Sequence, residues 1–334
     1  MSSLSGDVSG PGFGGPNPKL AGARRLQSTN KLFRSTTFAA AVLVLLTFVG
    51  MFGVLFAGAW PALHHFGFSF FITETWNPVK ERFGILAPIA GTLITSFLAM
   101  LAAVPLGIGV AIFLTELCPR LLRRPIGIAI ELLAGIPSII YGIWGLFVFA
   151  PFFQAHIQPI FIDMFANVPG LSMLFSGPPY GVGMFTASLI LAIMILPLIA
   201  SITRDVFETV PPMLKEAAYG LGCTTWEVIW HVVIPYTRTG IVGGAMLALG
   251  RALGETMAIT FVIGNAHRIS TSLFAPGTTI SATIANQFSE AVGDLYISSL
   301  LAAGFSLFII TFIVLAAAQL MLRRMDKSSG GVKA

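Results

Sequence analysis

The stretch EAAYGLGCTTWEVIWHVVIP (residues 216–235) lies in a segment, residues 204–240, that separates two long apolar runs. Although it connects other elements, this segment is itself apolar along one side. Such a segment either docks on another protein or lies on a membrane surface as an amphipathic element, and the residues by themselves leave both alternatives open. The residues that make it apolar are Met213, Leu214, Tyr219, Leu221, Trp226, Val228 and Ile229.

Glycines divide this segment into two predicted short helices, near residues 212–219 and 224–231. Gly220 and Gly222 interrupt the path between them, because glycine readily leaves the helical conformation. A capping pattern and a proline mark the limits of the second helix. The residues concerned are Thr224 or Thr225 as the cap, Glu227 as the side chain that reaches back, and Pro235 as the end.

The whole chain has the composition of a polytopic membrane protein. Of its 334 residues, 55% are hydrophobic and only 10% are charged, whereas soluble domains carry about 25% charged residues. The net charge of +5 does not indicate nucleic-acid binding, because the basic residues occur in short clusters between apolar runs. The composition therefore predicts a polytopic membrane protein without a nucleic-acid partner, and the length of its apolar runs makes the expected fold class all-α.

Six apolar runs are long enough to cross a bilayer, which takes roughly 20 residues per helix. The second and third runs are longer than a straight span and contain Pro88, Pro105 and Pro137, so we expect kinks in them. The predicted spans are approximately 38–60, 85–115, 127–153, 182–203, 239–264 and 297–322.

The segments outside the spans predict the topology. Residues 1–37 are rich in Gly, Ser and Pro and are expected to form a flexible cytoplasmic tail. A membrane domain at 38–325 and a cytoplasmic tail at 326–334 follow. Fifteen of the 19 lysines and arginines fall on the side of the N terminus, three on the other side, and Arg251 lies within a span. Since basic residues are enriched on the cytoplasmic side, both termini are predicted to lie inside.

The opening stretch resembles the EAA motif of ABC-importer permeases, in which Glu-Ala-Ala is followed by three residues, a glycine, nine residues and Ile-x-Leu-Pro. Val232 and Ile234 stand where the motif has Ile and Leu. The resemblance implies the architecture of a type I importer permease, with a cytoplasmic coupling helix that seats in a groove of an ATPase subunit. The matching positions are Glu216, Ala217, Ala218, Gly222 and Pro235.

Three further stretches look like the C-type permease subunit of phosphate-specific ABC importers, and the likeness covers residues 38–325. They are GIAIELLAGIPSIIYGIWGLFVFAP (127–151), GCTTWEVIW (222–230) and GRALGETMAITFVIGN (250–265). This resemblance implies a permease for inorganic phosphate in the bacterial inner membrane. Its implied partners are an A-type sister permease, two ATP-binding subunits that bind ATP and Mg, an external phosphate-binding protein and membrane lipid.

Arg251 and Glu255 stand four residues apart in a stretch that is otherwise almost entirely apolar. Arg251 follows Arg238, at the inner face, by 13 residues, which places it roughly 20 Å up a continuous helix. A charge there costs roughly 2.5–3.5 kcal/mol on insertion scales. The functional hypothesis is an anion relay: the arginine holds two phosphate oxygens, Glu255 accepts a phosphate proton, and Thr256 adds a hydroxyl. The alternative is an intrahelical ion pair that merely neutralises both charges.

Two other features of the spans predict structural contacts. Gly240, Gly244, Gly250 and Gly254 include two four-residue spacings of small residues, which favour close helix packing, against another span or against the sister permease. Glu131, near the inner face, is expected to pair with a basic residue on a neighbouring element, because an unpaired carboxylate is costly there.

Motifs that would give the chain its own chemistry are missing from the sequence. There is no G-x-x-x-x-G-K-[ST], H-E-x-x-H, C-x-x-C or G-x-S-x-G pattern, and the five histidines show no ligand spacing. We therefore expect a non-catalytic subunit without a cofactor of its own. Two alternatives stay open: a permease for another oxyanion, such as sulfate or molybdate, and a stand-alone secondary transporter, which would need internal repeats or broken helices.

Overall fold

The computed structural model describes the backbone of residues 18–329 and the side chains of residue 30 and residues 32–324. Within these limits the chain is almost entirely helical, which confirms the predicted all-α fold. The first helix, α1, runs over Pro18–Phe66, so residues 18–37 are helical rather than part of a flexible tail. Most residues after Pro18 are good helix formers, whereas the glycines and prolines of the tail concentrate before it. Residues 1–17 and 330–334 of the predicted tails lie outside the described residues.

The chain divides into two compact units after Val54. The described part of the first unit is a single helical segment, and every element after α1 belongs to the second unit. In chain order these elements are α2 (Ser69–Ile72), β1 (Trp76–Asn77), β2 (Arg82–Phe83), α3 (Leu86–Ile112), α4 (Arg120–Ala134), α5 (Ser138–Trp144), α6 (Ala150–Phe152), α7 (Gln158–Phe165), α8 (Leu171–Leu174), α9 (Met184–Glu208), α10 (Pro212–Gly220), α11 (Thr225–Val228), α12 (Ile234–Leu253), α13 (Met257–Val262), α14 (Ile280–Gln287) and α15 (Asp294–Ser329). Wider π-helical turns extend α3 and join α5 to α6, α6 to α7, and α11 to α12.

Six helical segments are long and apolar enough to cross a membrane, which confirms the predicted number of spans. The first, second, fourth and sixth lie close to their predicted positions, whereas the third and fifth are displaced. The segments are Leu32–Phe66, Leu86–Leu117, Ser138–Phe165, Met184–Glu208, Thr225–Leu253 and Asp294–Arg324.

The third span starts later than predicted because α4 is a helix of its own. The prediction began this span at residue 127, within α4, but α4 ends at Ala134 and α5 begins at Ser138. Pro137 separates them, because proline lacks an amide hydrogen and drives the residue before it towards an extended conformation. The charged residues of α4 recur at helical spacing, at Arg120, Arg123, Arg124 and Glu131, so α4 is amphipathic rather than apolar all round.

The fifth span starts and ends earlier than predicted. Instead of two helices separated at Pro235, one continuous helix runs over Thr225–Leu253. A proline clashes with the preceding turn of a regular α-helix, but a π-helical turn, Ile229–Val233, widens the helix just before Pro235. The predicted end at Pro235 is therefore wrong, and the helix stops at Leu253 instead.

Helix α9 is the most enclosed of the six spans. In its most apolar stretch 61% of the residues are buried, against 28% in each of the other spans that follow α1. Glycines of α12 allow close contact with α9. A Cβ at Gly240 would lie 2.5 Å from Val206 Cγ1, and one at Gly244 would lie 2.8 Å from Ile202 Cγ2. The predicted packing role of the glycines is confirmed at these two positions, and the partner is a span of the same chain.

An aromatic cluster holds the β1–β2 hairpin and the loop before α14. Trp76 lies opposite Phe83 in the hairpin, with ring centroids 5.0 Å apart. His267 stacks on Trp76 at 5.8 Å, and Tyr296 stacks on Phe83 at 5.0 Å. Burial lowers the pKa of His267, because the charged imidazolium loses its water shell there. The loop that carries His267 is thereby fixed to the hairpin by a neutral ring.

Candidate functional site

A break after the fifth span places Arg251 and Glu255 on different elements. Helix α12 ends at Leu253, and α13 begins at Met257. Gly254 and Glu255 lie between the two helices. The prediction of one continuous helix that carries both charges four residues apart is therefore wrong. The two charges are held by two helix termini that meet at the break.

Each charge lies at the helix terminus that attracts its sign. Arg251 is in the last turn of α12, where the helix dipole favours a cation. The Oε1 atom of Glu255 accepts a hydrogen bond from the backbone N–H of Ala258 at 3.1 Å, which satisfies one of the free amides at the start of α13. Thr256 lies in the same break, and its hydroxyl donates to the carbonyl of Gly254 at 3.3 Å. A glycine followed by a carboxylate is a signal for such a break that sequence reasoning passed over.

Arg251 and Glu255 do not form an ion pair with each other. Glu255 is buried, with 9% of its surface exposed, whereas Arg251 is exposed. Among the side chains that the structure describes, no ion pair within 4.0 Å joins them. The alternative of a mutually neutralising pair therefore does not hold in this conformation. An exposed guanidinium in a span needs water, a ligand or another chain beside it, because lipid tails do not solvate a charge.

Helix α5 brings a further polar group to the break. Tyr141 is buried, and its hydroxyl donates to the carbonyl of Leu133 at 2.9 Å. Gly142 allows α5 to approach α13, since a Cβ there would lie 3.0 Å from the Cα of Ala258. Sequence reasoning missed Tyr141. In the sequence, the one indication of a polar role was a tyrosine within an otherwise apolar run.

The second candidate site is the turn that follows α10. Gly222 has φ +88°, in the left-handed region that glycine adopts at low cost. The turn is a Schellman motif, in which the N–H of Gly222 donates to the carbonyl of Tyr219 at 2.9 Å and the N–H of Cys223 donates to that of Ala218 at 3.1 Å. The predicted role of the motif glycine, a sharp turn, is confirmed.

Helix α10 presents an apolar surface to its surroundings. Met213 is 77% exposed and Leu221, in the turn, is 87% exposed. Of the EAA-motif residues on α10, Glu216 and Ala217 are exposed and Ala218 is half-buried. Large apolar side chains with this exposure typically mark a contact with another protein or a membrane.

A capping box joins the turn to the fifth span. The backbone N–H of Thr224 donates to Glu227 Oε2 at 2.8 Å, and the N–H of Glu227 donates to Thr224 Oγ1 at 3.4 Å. Thr224, rather than Thr225, is thus the cap. The second predicted short helix exists, but it is the beginning of the fifth span. A displacement of the turn would therefore move that span directly.

One ion-pair site connects α10 to the end of the second span, and another connects α9 to α4. Lys215 of α10 lies 2.6 Å from Glu116, whose side chain is 8% exposed. Arg204 of α9 lies 2.6 Å from Glu131 and 2.8 Å from Asp205. The prediction that Glu131 pairs with a basic residue on a neighbouring element is confirmed. The Lys215–Glu116 pair was not predicted, because nothing in the sequence relates two residues so far apart.

The described side chains do not provide a metal site. They contain no group of three or more His, Cys, Asp or Glu residues placed to hold a metal ion. The charged side chains at the break after α12 are Arg251 and Glu255, and the hydroxyls of Thr256 and of Tyr141 on α5 donate to backbone carbonyls. The guanidinium can bind an oxyanion by charge and hydrogen bonds, and the carboxylate can accept a hydrogen bond from a protonated oxyanion.

The comparison with protein families agrees with this architecture. Residues 103–327 match the family described as "Binding-protein-dependent transport system inner membrane component". The chain belongs to this family. The matched range contains both the turn after α10 and the break after α12. Together with the six apolar helices, membership makes the chain a multi-pass inner-membrane component of a transport system.

Individual relatives agree with the family assignment, and a solved structure agrees with the fold. The phosphate transport system permease protein PstC of Mesorhizobium japonicum is 69% identical over 310 residues, which cover 93% of this chain and 95% of that protein. The protein of the same name from Pasteurella multocida is 58% identical and covers 90% of this chain and 93% of its own length. A bacterial alginate ABC transporter, solved in complex with an alginate pentasaccharide-bound periplasmic protein, covers 89% of this chain and 97% of its own with a TM-score of 0.59. At 19% identity that structure supports the fold alone.

Proposed function

We propose that this chain is the permease subunit of an ATP-driven importer that carries inorganic phosphate across the bacterial inner membrane. The observation that carries the proposal is the 69% identity, over 93% of the chain, to a protein named as a phosphate transport system permease. The groups at the break after α12 suit an oxyanion. In this proposal both termini are cytoplasmic, in keeping with the distribution of lysine and arginine.

The proposed substrate path runs past Arg251, Glu255 and Thr256. Phosphate near neutral pH keeps at least one proton, so its oxygens can accept from Arg251 while its hydroxyl donates to Glu255. Fully deprotonated sulfate has no proton to donate, and this difference would favour phosphate. Because Arg251 is exposed on this chain, we place the path at the contact with the sister permease, which would cover the guanidinium and exclude lipid from it.

The proposed coupling to ATP runs through α10. Two ATP-binding subunits, which bind ATP and Mg, would supply the hydrolysis, and one would dock on the exposed apolar side chains around Met213 and Leu221. The Schellman turn at Gly222 and the capping box at Thr224 would pass movement of the docked surface to the fifth span. An external phosphate-binding protein would deliver phosphate to the opposite face.

Uptake of labelled phosphate tests the proposal. Host cells that lack only this subunit would receive the native chain, Arg251→Gln or Arg268→Gln, with excess sulfate as competitor. Arg268 is a matched control, because it is an exposed arginine in the loop that follows α13. We expect sulfate-insensitive uptake from the native chain and from Arg268→Gln, and loss of uptake from Arg251→Gln at equal membrane abundance.

The other outcomes separate the parts of the proposal. Competition by sulfate would assign the importer to another oxyanion. Normal uptake by Arg251→Gln would leave the transport assignment in place but remove the arginine from the substrate path. Uptake that persists without an ATP-binding subunit would favour a stand-alone transporter.

A further inference from the structure

A basic pocket lies where α4 meets the last turns of α9, apart from the break after α12 and from the turn after α10. Four arginines and two glutamates line it. The charged lining residues are Arg120, Arg123, Arg124, Glu131, Arg204 and Glu208. Because the arginines outnumber the carboxylates, the pocket attracts anions.

The arginines of α4 are less neutralised than Arg204. Arg204 is bound by Glu131 and Asp205. Among the described side chains, by contrast, neither Arg120 nor Arg124 has a carboxylate within 4.0 Å, and both are exposed. Arg123 donates to the carbonyl of Thr115, and its Nε is buried without a partner among the described residues. The pocket thus offers donors that the described part of the chain does not use.

The same helix exposes large apolar side chains next to these arginines. Leu121 is 88% exposed, Leu132 is 68% exposed and Leu122 is 50% exposed. Helix α4 also sits directly between the end of the second span and the start of the third. A short amphipathic helix at the edge of a membrane domain, with arginines beside leucines, has the composition of a helix that lies in the lipid headgroup region.

We infer that the α4 pocket binds the phosphate group of an anionic phospholipid, with Arg120 and Arg124 on the headgroup and the exposed leucines of α4 against the acyl chains. Arginine is suited to this role because its planar fork can hold two oxygens of one phosphate. The leucines favour a lipid over free phosphate, because free phosphate makes no favourable contact with an apolar surface. The inference rests on the proposed orientation, in which this pocket faces the inner leaflet, where basic residues are enriched.

A bound lipid would also strengthen the contact between α4 and α9. Glu131 of α4 holds Arg204 of α9, and a Cβ at Gly127 of α4 would lie 2.7 Å from the Nη1 atom of Arg204. Helix α4 is therefore fastened to the most enclosed span at one glycine contact and one ion pair. A bound headgroup would hold α4 against that span from the lipid side.

Native mass spectrometry of the purified full-length chain tests the inference without any transport reaction. The probes are phosphatidylglycerol and phosphatidylethanolamine, presented in equal amounts, and inorganic phosphate at millimolar concentration. The variants are Arg120→Gln/Arg124→Gln, the charge-conserving Arg120→Lys/Arg124→Lys, and the matched control Lys80→Gln/Arg82→Gln at two exposed residues of the β1–β2 hairpin.

We expect the native chain to retain phosphatidylglycerol in preference to phosphatidylethanolamine. The glutamine pair should reduce that preference by up to about 25-fold, at about fivefold for each arginine. The hairpin control should keep all of it, and the lysine pair should keep part of it, because lysine retains the charge but not the two-oxygen hold. Equal retention of the two lipids by the native chain, an unchanged preference in the glutamine pair, or an equal loss in the hairpin control would overturn the inference. Displacement of phosphatidylglycerol by inorganic phosphate would assign the pocket to free phosphate instead.

Discussion

Two regions of the membrane domain differ in whether their charged side chains pair with each other. Where α10 meets the second span, Lys215 and Glu116 satisfy each other at 2.6 Å. At the break after α12, Arg251 and Glu255 are closer in sequence but form no such pair. Instead the carboxylate caps a helix and the guanidinium is exposed. A charge with a partner in its own chain serves the fold, whereas a charge without one is available to a ligand or to a second chain.

This contrast predicts that changes at the break affect uptake and that changes at the α10 contact affect stability. The largest expected effect is that of Glu255→Gln. Glutamine can still accept the hydrogen bond from the N–H of Ala258, so the helix start should survive, but it no longer offers a charged acceptor. A hydrogen bond to a charged group contributes about 1.5–3 kcal/mol, which corresponds to roughly 10- to 150-fold in uptake rate.

The measurement is phosphate uptake together with the thermal unfolding midpoint of the purified chain. An unchanged midpoint with low uptake agrees with the contrast. If uptake is normal, Glu255 serves only as a helix cap. The break would then have a role in stability alone, like the α10 contact.

Removal of Lys215 should produce the next largest effect, this time on stability. In Lys215→Ala, Glu116 would remain nearly buried without its partner. Breaking a fully buried pair costs about 3–5 kcal/mol, and since Lys215 is 20% exposed we expect about 2 kcal/mol. The test is a double-mutant cycle of unfolding free energies that includes the swapped pair Lys215→Glu/Glu116→Lys. Absence of coupling between the two positions would contradict the assigned role of the pair.

Substitution at the Schellman turn should have a smaller effect. Gly222→Ala forces a side chain into the left-handed region at φ +88°, which costs about 1–2 kcal/mol. We expect a lower rate of uptake per unit of ATP hydrolysed in the assembled transporter, because the turn would pass movement to the fifth span less rigidly. Gly220→Ala is the control, since Gly220 does not have a positive φ and a Cβ there would meet nothing within 4 Å. Equal effects of the two substitutions would show that the loss of coupled uptake does not depend on the left-handed conformation of Gly222.

The smallest effect is expected for Thr224→Ala, which removes one half of the capping box. Loss of a helix cap costs about 1 kcal/mol, and Thr224→Ser should restore most of it because the hydroxyl is kept. The readout is the unfolding midpoint of the purified chain, compared with Thr225→Ala, whose residue does not serve as the cap. A larger loss in Thr225→Ala than in Thr224→Ala would reassign the cap.

Local rules sufficed for the elements that depend on near neighbours. The length of apolar runs predicted six spans, because each helix must satisfy its own backbone in lipid. Two nearby glycines, followed by a helix-capping pattern, predicted the turn after α10. Both rest on contacts within a few residues, so the amino-acid order contains the information.

The sequence by itself thus determined the all-α class, the number of spans and the turn at Gly222. Only the tertiary structure decided that Pro235 lies inside a helix and that the fifth span breaks at Gly254. It also decided that Lys215 meets Glu116 and that Arg251 is exposed. The physical reason is that local conformational preferences compete with tertiary packing. A π-helical turn relieves the proline, and packing of α13 against α5 stabilises the short helix after the break. Pairing of distant charges likewise depends on which helices become neighbours, and no local pattern specifies that.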